Sequence, residues 1–213
     1  VIDHHRKMVG HIDNAVIFYH EPYASSASEM VTELVQYFNE KIKIGRPEAE
    51  ALLAGIMLDT KNFIIKTGVR TFEAAAYLRK MGADTVEVRK LFASTMEAYQ
   101  RKAKLVANAQ VYKGCAIAWS TERDDTEIQV TAAQAADELL NISGVQASFL
   151  MFEQGKGVSY SARSMGQLNV QIIMEKLGGG GHHTMAGAQT PGITMDEARQ
   201  RLREAIDQYF EEN

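Results

Sequence analysis

Three things are scarce in this sequence, namely cysteine, long apolar runs and excess positive charge, and each shortage excludes a class of protein. The single cysteine, Cys115, lies in the apolar stretch CAIAW, so it forms no disulfide within the chain and is expected to be a buried thiol. This usage fits a reducing cytosol. The longest apolar run, residues 51–58, is too short to span a bilayer. The formal net charge of -4 argues against a general binder of long nucleic acid, although a few local cations could hold a small phosphorylated ligand.

The pattern of apolar residues and capping signals predicts two α/β domains. In the first half, short apolar strands alternate with helices that have clear start signals, such as Ser26 with Glu29. Residues 94–109 are polar, favour helix and lack glycine and proline, so they are predicted to form a helical connector. The predicted bounds are residues 1–93 for the first domain, 94–110 for the connector and 111–213 for the second domain.

Within the second half, the sequence predicts a mixed order of strands and helices. Residues 111–120 are predicted as one strand, and residues 145–154 and 158–164 as a hairpin joined by the three-residue turn GKG. A short strand is expected around residues 185–189, after the glycine run and before a final helix. The result is a second α/β domain with its own sheet.

An aspartate and two histidines stand together at the end of a predicted apolar strand, in the opening stretch VIDHHRK. Asp3, His4 and His5 follow the strand at the point where a parallel strand would open into a loop. Open α/β sheets bind their ligands at the carboxyl ends of such strands. Imidazole and carboxylate together suit manganese, zinc or iron. The alternative is a polar loop whose histidines only make local hydrogen bonds.

Asp59 is a second candidate, because it ends the apolar helical stretch ALLAGIMLD. A carboxylate near the C-terminus of a helix is opposed by the helix dipole, and its apolar neighbours add a cost of desolvation. A bound metal ion would offset both costs. The alternative, with equal weight, is that Asp59 only ends the helix and turns its side chain outward to water.

A third candidate is the glycine run at residues 178–181, which is followed by two histidines. Consecutive glycines allow a ligand to approach the backbone closely, and their N–H groups can bind an anion. Upstream, Ser159, Ser161 and Arg163 alternate onto one face of a predicted strand, where they could bind phosphate. The alternatives are a simple hinge for the glycines and a solvated charge on an edge strand for Arg163.

The motifs DHH, LLAGIMLDTKNF, SARS and GGGGHHTMAGA, in this order, resemble those of the DHH phosphoesterase superfamily, and the second half resembles its DHH-associated domain. The stretches LDTKNFIIKTGVRTFEAAAYLRKMGAD and AADELLNISGVQASF are similar to the cyclic-di-AMP phosphodiesterases of bacteria, which are membrane-anchored signalling proteins with PAS and degenerate GGDEF domains before the DHH unit. The resemblance implies an incomplete, parallel-sheet α/β DHH domain. A helical connector would join it to a smaller α/β DHH-associated domain with a mixed sheet.

The resemblance also implies roles for individual residues. His4 and Asp59 match metal ligands of a site that holds two manganese ions, and the other ligands of that site lie upstream of the DHH motif in the family. His5 would face the substrate phosphate or support the site, and Asp3 would orient the imidazoles, so both are assigned to the catalytic set. The substrate-binding motifs of the associated domain match Arg163, Ser164, Gly179, Gly180, Gly181 and His182.

The implied activity is manganese-dependent hydrolysis of cyclic di-AMP to linear pApA by a longer protein. Because the sequence starts inside a predicted strand at Val1, we expect a C-terminal fragment that is inactive by itself. Two alternatives stay open. One is an oligoribonuclease that acts on short linear RNA such as pApA, and the other is a non-catalytic nucleotide-binding module.

The expected partner is a cyclic dinucleotide or a short oligonucleotide, and no long nucleic acid. We expect the fragment to be soluble and to lie at the cytoplasmic face of the bacterial membrane. It would be anchored there only through segments upstream of it. The sequence leaves a homodimer open.

Overall fold

The structure is a computed structural model that describes residues 1–5, 10–38, 43–122 and 127–213. It separates into two compact units, residues 1–93 and residues 94–213. Both units mix helices and strands, so the predicted α/β class is confirmed. Among the described residues, no helix is long and apolar enough to cross a membrane.

The first unit combines a short parallel strand pair with four helices. Strand β1 pairs with β2 in parallel, with Asp3 opposite His20. The helices pack around a core formed by Ala49, Leu53, Ile56, Ala74, Leu78, Ala83 and Val88. The elements described in this unit are β1 (Ile2–Asp3), β2 (Tyr19–His20), α1 (Ala27–Phe38), α2 (Arg46–Asp59), α3 (Val69–Lys80) and α4 (Thr85–Lys90).

Helix α2 positions the candidate residue Asp59, which is its last residue. It begins after Gly45 with Pro47 in its first turn, where the missing N–H of proline costs nothing. Gly55 lets α1 and α2 approach closely, since a Cβ at this position would lie 2.0 Å from Oγ of Ser28. This close packing fixes the helix that holds Asp59.

The second unit is built on one mixed sheet. In the described residues this sheet has six strands in the order β3-β4-β5-β6-β8-β7, and β4 and β5 are parallel. The elements of this unit are α5 (Met96–Ala107), β3 (Gln110–Tyr112), β4 (Cys115–Ser120), α6 (Ile128–Leu139), β5 (Ala147–Gln154), β6 (Gly157–Ser164), α7 (Val170–Glu175), β7 (Gly180–His182), β8 (Met185–Pro191) and α8 (Met195–Glu212).

Helices cover the two faces of this sheet unequally. Phe149 and Met151 point into a core shared with α7 and α8, while Leu150 and Phe152 point to the opposite face and pack with α5 and α6. This alternation follows from the two-residue period of a strand. On the second face, α6 packs mainly on β5, so part of β6 and β8 beside it is left open as a groove.

Two predictions about the second unit were wrong in detail. Residues 111–120 form two antiparallel strands, because Lys113 and Gly114 adopt positive φ angles of 48° and 74° and make a tight turn. The hairpin turn between β5 and β6 has two residues, since Gln154 pairs with Gly157. The expected helix in residues 94–109 is present as α5, and it packs against α6 within the second unit.

Candidate functional site

His4 and Asp59 are brought together by the ends of two elements of the first unit. His4 follows the last residue of β1, and Asp59 is the last residue of α2. Nε2 of His4 lies 3.4 Å from Oδ2 of Asp59. The His4 side chain is 7% exposed and that of Asp59 is 41% exposed, so the pair lies at the border between protein and solvent.

The His4–Asp59 pair fits part of a metal site. A separation of 3.4 Å suits two atoms that bind one cation with bonds of about 2.0–2.2 Å. The second ring nitrogen of His4, Nδ1, is buried and has no hydrogen-bond partner in the described part of the chain. In those ranges no group of three or more His, Cys, Asp or Glu side chains is placed to hold an ion, so the pair supplies two candidate ligands.

One carboxylate oxygen of Asp3 contacts two nitrogen atoms of His5. Oδ1 of Asp3 accepts the backbone N–H of His5 at 3.0 Å and lies 2.8 Å from Nδ1 of its ring. Both contacts lower the pKa of the Asp3 carboxyl group, and the hydrogen bond from the backbone N–H has the larger effect. The His5 side chain is 76% exposed, and its ring centroid is 4.4 Å from that of His4. Asp3 therefore orients the exposed imidazole, which stands beside the buried one.

His20 also belongs to this cluster, and sequence reasoning missed it. It stands opposite Asp3 in the parallel strand pair, and its Nε2 lies 2.5 Å from the carbonyl oxygen of His5. The sequence signal for His20 was a histidine at the end of a second short strand, because the ends of neighbouring parallel strands meet at one edge of a sheet.

A left-handed turn follows Asp59 directly. Lys61, Asn62 and Phe63 have φ angles of 47°, 58° and 65°. This conformation costs roughly 1–2 kcal/mol for each residue with a side chain. The buried hydroxyl of Thr60 stabilises the turn, because it donates to the carbonyl oxygen of Ile56 and accepts the N–H of Phe63. These two hydrogen bonds offset part of the cost of the strained turn, which directly follows the candidate ligand Asp59.

The second unit has an open groove of about 650 Å³ on the partly uncovered face of its sheet. Strands β6 and β8 form the floor, where Ser159, Ser161 and Arg163 stand opposite Gln189, Gly187 and Met185. Gln129 and Ala133 of α6 lie on one side, and Gly178 and Gly179 lie on the other.

Arg163 is a nearly buried cation in this groove. Its side chain is 11% exposed, and Nη1 donates to Oγ of Ser161 and to the carbonyl oxygen of Ala162. Nε lies 3.5 Å from Oδ1 of Asp137 and has no hydrogen-bond partner among the described residues. Burial lowers the pKa of the guanidinium, and Asp137 partly offsets this effect. Because β6 lies between β5 and β8, Arg163 is not a solvated charge on an edge strand.

Of the glycines with a predicted role, Gly179 lines the groove, and Gly180 and Gly181 lie in β7. A Cβ on Gly179 would come within 2.1 Å of the carbonyl oxygen of Gly187, and one on Gly181, where φ is 148°, within 2.5 Å of Ala186. At Gly180 a Cβ would meet no atom within 4 Å. The glycine run therefore forms an edge strand packed closely on β8, and this packing requires glycine at two positions.

The other two residues with predicted substrate roles lie outside the groove lining. Ser164 is buried, and its hydroxyl lies 3.4 Å from the carbonyl oxygen of His183 and accepts the N–H of Gly166. His182 ends β7 with an exposed side chain. The structure thus brings Arg163 and Gly179 together in one groove and leaves the side chains of Ser164 and His182 outside its lining.

The chain is similar over nearly its full length to two curated bacterial proteins. It is 53% identical over 213 residues to the "Cyclic-di-AMP phosphodiesterase GdpP" of Geobacillus thermodenitrificans, covering 99% of this chain and 32% of the relative. It is 47% identical to the "Cyclic-di-AMP phosphodiesterase PdeA" of Listeria monocytogenes, with the same coverage. The chain therefore spans about a third of the length of these relatives.

A solved structure supports the fold. The crystal structure of an exopolyphosphatase-related protein from Bacteroides fragilis matches with a TM-score of 0.85 and 24% sequence identity. The match covers 98% of this chain and 63% of the other.

Two family models match the chain in the order that its motifs predict. The model of the DHH family N-terminal domain matches residues 1–56, which contain the DHH motif and most of α2. The DHHA1 domain model matches residues 116–212, which contain the groove, Arg163 and the glycine run. This chain therefore belongs to the DHH family, with a DHHA1 domain as its second unit.

Proposed function

We propose that this chain is the catalytic and nucleotide-binding part of a manganese-dependent phosphodiesterase that hydrolyses cyclic di-AMP to linear pApA. The strongest support is the similarity over nearly the whole chain, at about half of its positions, to proteins named cyclic-di-AMP phosphodiesterases. Because the chain spans about a third of those relatives, we assign the activity to a longer protein that contains it. That protein would work at the cytoplasmic face of the bacterial membrane.

In this proposal His4 and Asp59 hold a divalent metal ion. DHH-family phosphoesterases are metal-dependent, and the donor set of imidazole and carboxylate suits manganese. When bound, the ion neutralises charge on the phosphate and makes water a better nucleophile. His4 is held in place by its burial, and Asp59 by the end of α2 and the turn after it.

His5 and Asp3 would act on the phosphate beside that ion. The imidazole of His5 is exposed, and its Nδ1 is held by the Asp3 carboxylate, so its Nε2 is available for a substrate oxygen. A carboxylate on one ring nitrogen fixes the tautomer and direction of the other. The proposed role of His5 is to hydrogen-bond a phosphate oxygen, and that of Asp3 is to orient this imidazole.

The groove of the second unit would bind a nucleotide. The buried Nε of Arg163 has no hydrogen-bond partner among the described residues, and a phosphate oxygen would satisfy it with a charge-assisted hydrogen bond. In this proposal the backbone of Gly179, which lines the same groove, also contacts the ligand. Gly180, Gly181, Ser164 and His182 stay predicted substrate-binding residues.

Turnover measurements test the proposed function. A version extended upstream to the length of the relatives should hydrolyse cyclic di-AMP to pApA in the presence of manganese. Linear pApA should be turned over more slowly, since the relatives at about half identity are named for the cyclic substrate. Faster turnover of pApA than of cyclic di-AMP would instead support an oligoribonuclease. If neither is turned over but both bind, the chain is a non-catalytic binding module.

A further inference from the structure

A cluster of amide side chains lies at the end of the groove away from Arg163. Gln154 ends β5, and Gln189 lies in β8 next to Ser159 of β6. Oε1 of Gln154 accepts the Ser159 hydroxyl at 2.7 Å and Nε2 of Gln189 at 3.2 Å. Both glutamines are exposed residues of the groove lining.

The hydrogen bond between the two amides leaves a defined pattern of free atoms. Gln154 retains its N–H groups and Gln189 retains its carbonyl oxygen, and neither has a further protein partner within the described ranges. The oxygen and nitrogen of an amide are assigned from hydrogen bonds, so both groups could be turned by 180°. Turning both amides would exchange the donor and acceptor roles of the two glutamines. One acceptor and at least one donor would again remain free. The cluster therefore presents a donor beside an acceptor in either orientation.

The spacing along β6 separates this cluster from the cation of the groove. Ser159 and Arg163 are four residues apart on the same face, which corresponds to about 13 Å along a strand. Gly187 lies between them on β8 and leaves the floor open. A nucleotide with its phosphate at Arg163 would extend its base toward the glutamines.

We propose that Gln154 and Gln189 recognise the base of the bound nucleotide and select adenine over guanine. This inference rests on the proposed function, because it assumes that the groove binds a nucleotide. Adenine presents a donor at N6 beside an acceptor at N7, whereas guanine presents two acceptors at O6 and N7 on the same edge. A donor beside an acceptor pairs fully with adenine on this edge. With guanine, the free acceptor of the cluster would face another acceptor.

Binding of linear dinucleotides to the 213-residue chain tests this inference without any need for activity. Calorimetry with metal removed by a chelator would compare pApA, pGpG and a pApA analogue with 7-deazaadenine bases. The chain should bind pApA on the order of tenfold more tightly than pGpG. The 7-deaza analogue should also bind more weakly than pApA, because it lacks N7. Gln154→Ala and Gln189→Ala should reduce both preferences to within about twofold.

Gln200→Ala is the matched control, because Gln200 is an exposed glutamine of α8 that contacts Glu204 outside the groove. It should keep the preference of the unaltered chain. Equal binding of pApA and pGpG, or a preference that survives both groove variants, would overturn base recognition and leave the proposed function standing. If the chain binds neither pApA nor cyclic di-AMP, nucleotide binding by the groove fails, and base recognition fails with it.

Discussion

Nε2 of His4 and Oδ2 of Asp59 are 3.4 Å apart, although one residue follows the first strand of the chain and the other ends helix α2, after the intervening β2 and α1. The contact joins the two motifs that the DHH resemblance assigns to metal binding. It also sets a clear test, because each side chain should contribute one ligand atom to the same ion.

We expect His4→Ala or Asp59→Asn to abolish manganese-dependent hydrolysis in a version extended upstream to the length of the relatives. His4→Ala removes a ligand atom and Asp59→Asn replaces a charged carboxylate ligand by a neutral amide, so metal affinity should fall with activity. Manganese binding followed by electron paramagnetic resonance, together with turnover of cyclic di-AMP, would measure both. Glu48→Ala, at the other end of α2, is the control and should keep both properties. Near-normal turnover of either ligand variant at saturating manganese would remove the pair from the metal site.

Arg163→Ala should weaken nucleotide binding and leave metal binding unchanged. A charge-assisted hydrogen bond contributes about 1.5–3 kcal/mol, so a loss of roughly 10- to 150-fold in kcat/KM is expected, mainly through KM. Arg201→Ala provides a control, since Arg201 lies at α8 outside the groove. An Arg163 variant with normal KM and only a lower Tm would show that the guanidinium has a structural role alone.

Three alanine substitutions in and beside β7 should separate packing from binding. Gly179→Ala and Gly181→Ala should lower Tm, because their Cβ atoms would lie 2.1 Å and 2.5 Å from atoms of β8. Gly180→Ala should keep the Tm of the unaltered chain, because its Cβ would meet no atom. Thermal unfolding measures these effects. If Gly180→Ala nevertheless weakens binding of pApA, the ligand approaches the backbone at that residue, and unchanged binding would place the ligand elsewhere.

Stability should decrease at alkaline pH because of Cys115. Burial raises the pKa of this thiol from about 9 to about 12, so the folded state holds the proton after the unfolded state has lost it. The stabilisation is complete below pH 9 and is lost as the pH rises toward 12. The thiol should account for up to about 1.4 kcal/mol per pH unit in the free energy of unfolding. Denaturant unfolding at several pH values would measure this slope, and Cys115→Ala should remove it. An unchanged slope in that variant would assign the alkaline effect to other groups.

The local part of the architecture could be predicted from the sequence. The period of the apolar residues and the capping signals predicted the alternating elements, as at α1, where the Ser26 hydroxyl accepts the N–H of Glu29 at 3.0 Å. The motifs predicted the family, because DHH, LLAGIMLDTKNF, SARS and GGGGHHTMAGA are specific in combination and in this order. Signals of this kind depend only on residues close together in the sequence, so a single sequence is enough to recognise them.

The tertiary structure alone decided how the candidate residues are combined. No local signal places His20 against the backbone of His5, because parallel strands pair across intervening chain. The burial of Arg163 depends on the position of β6 inside the sheet and on Asp137 of α6. The groove itself exists because α6 covers β5 more than β6 and β8, which is a result of helix packing on a sheet. Sequence therefore determined which side chains are available, and long-range packing determined which of them share a surface, because the distances between them depend on contacts far apart in the chain.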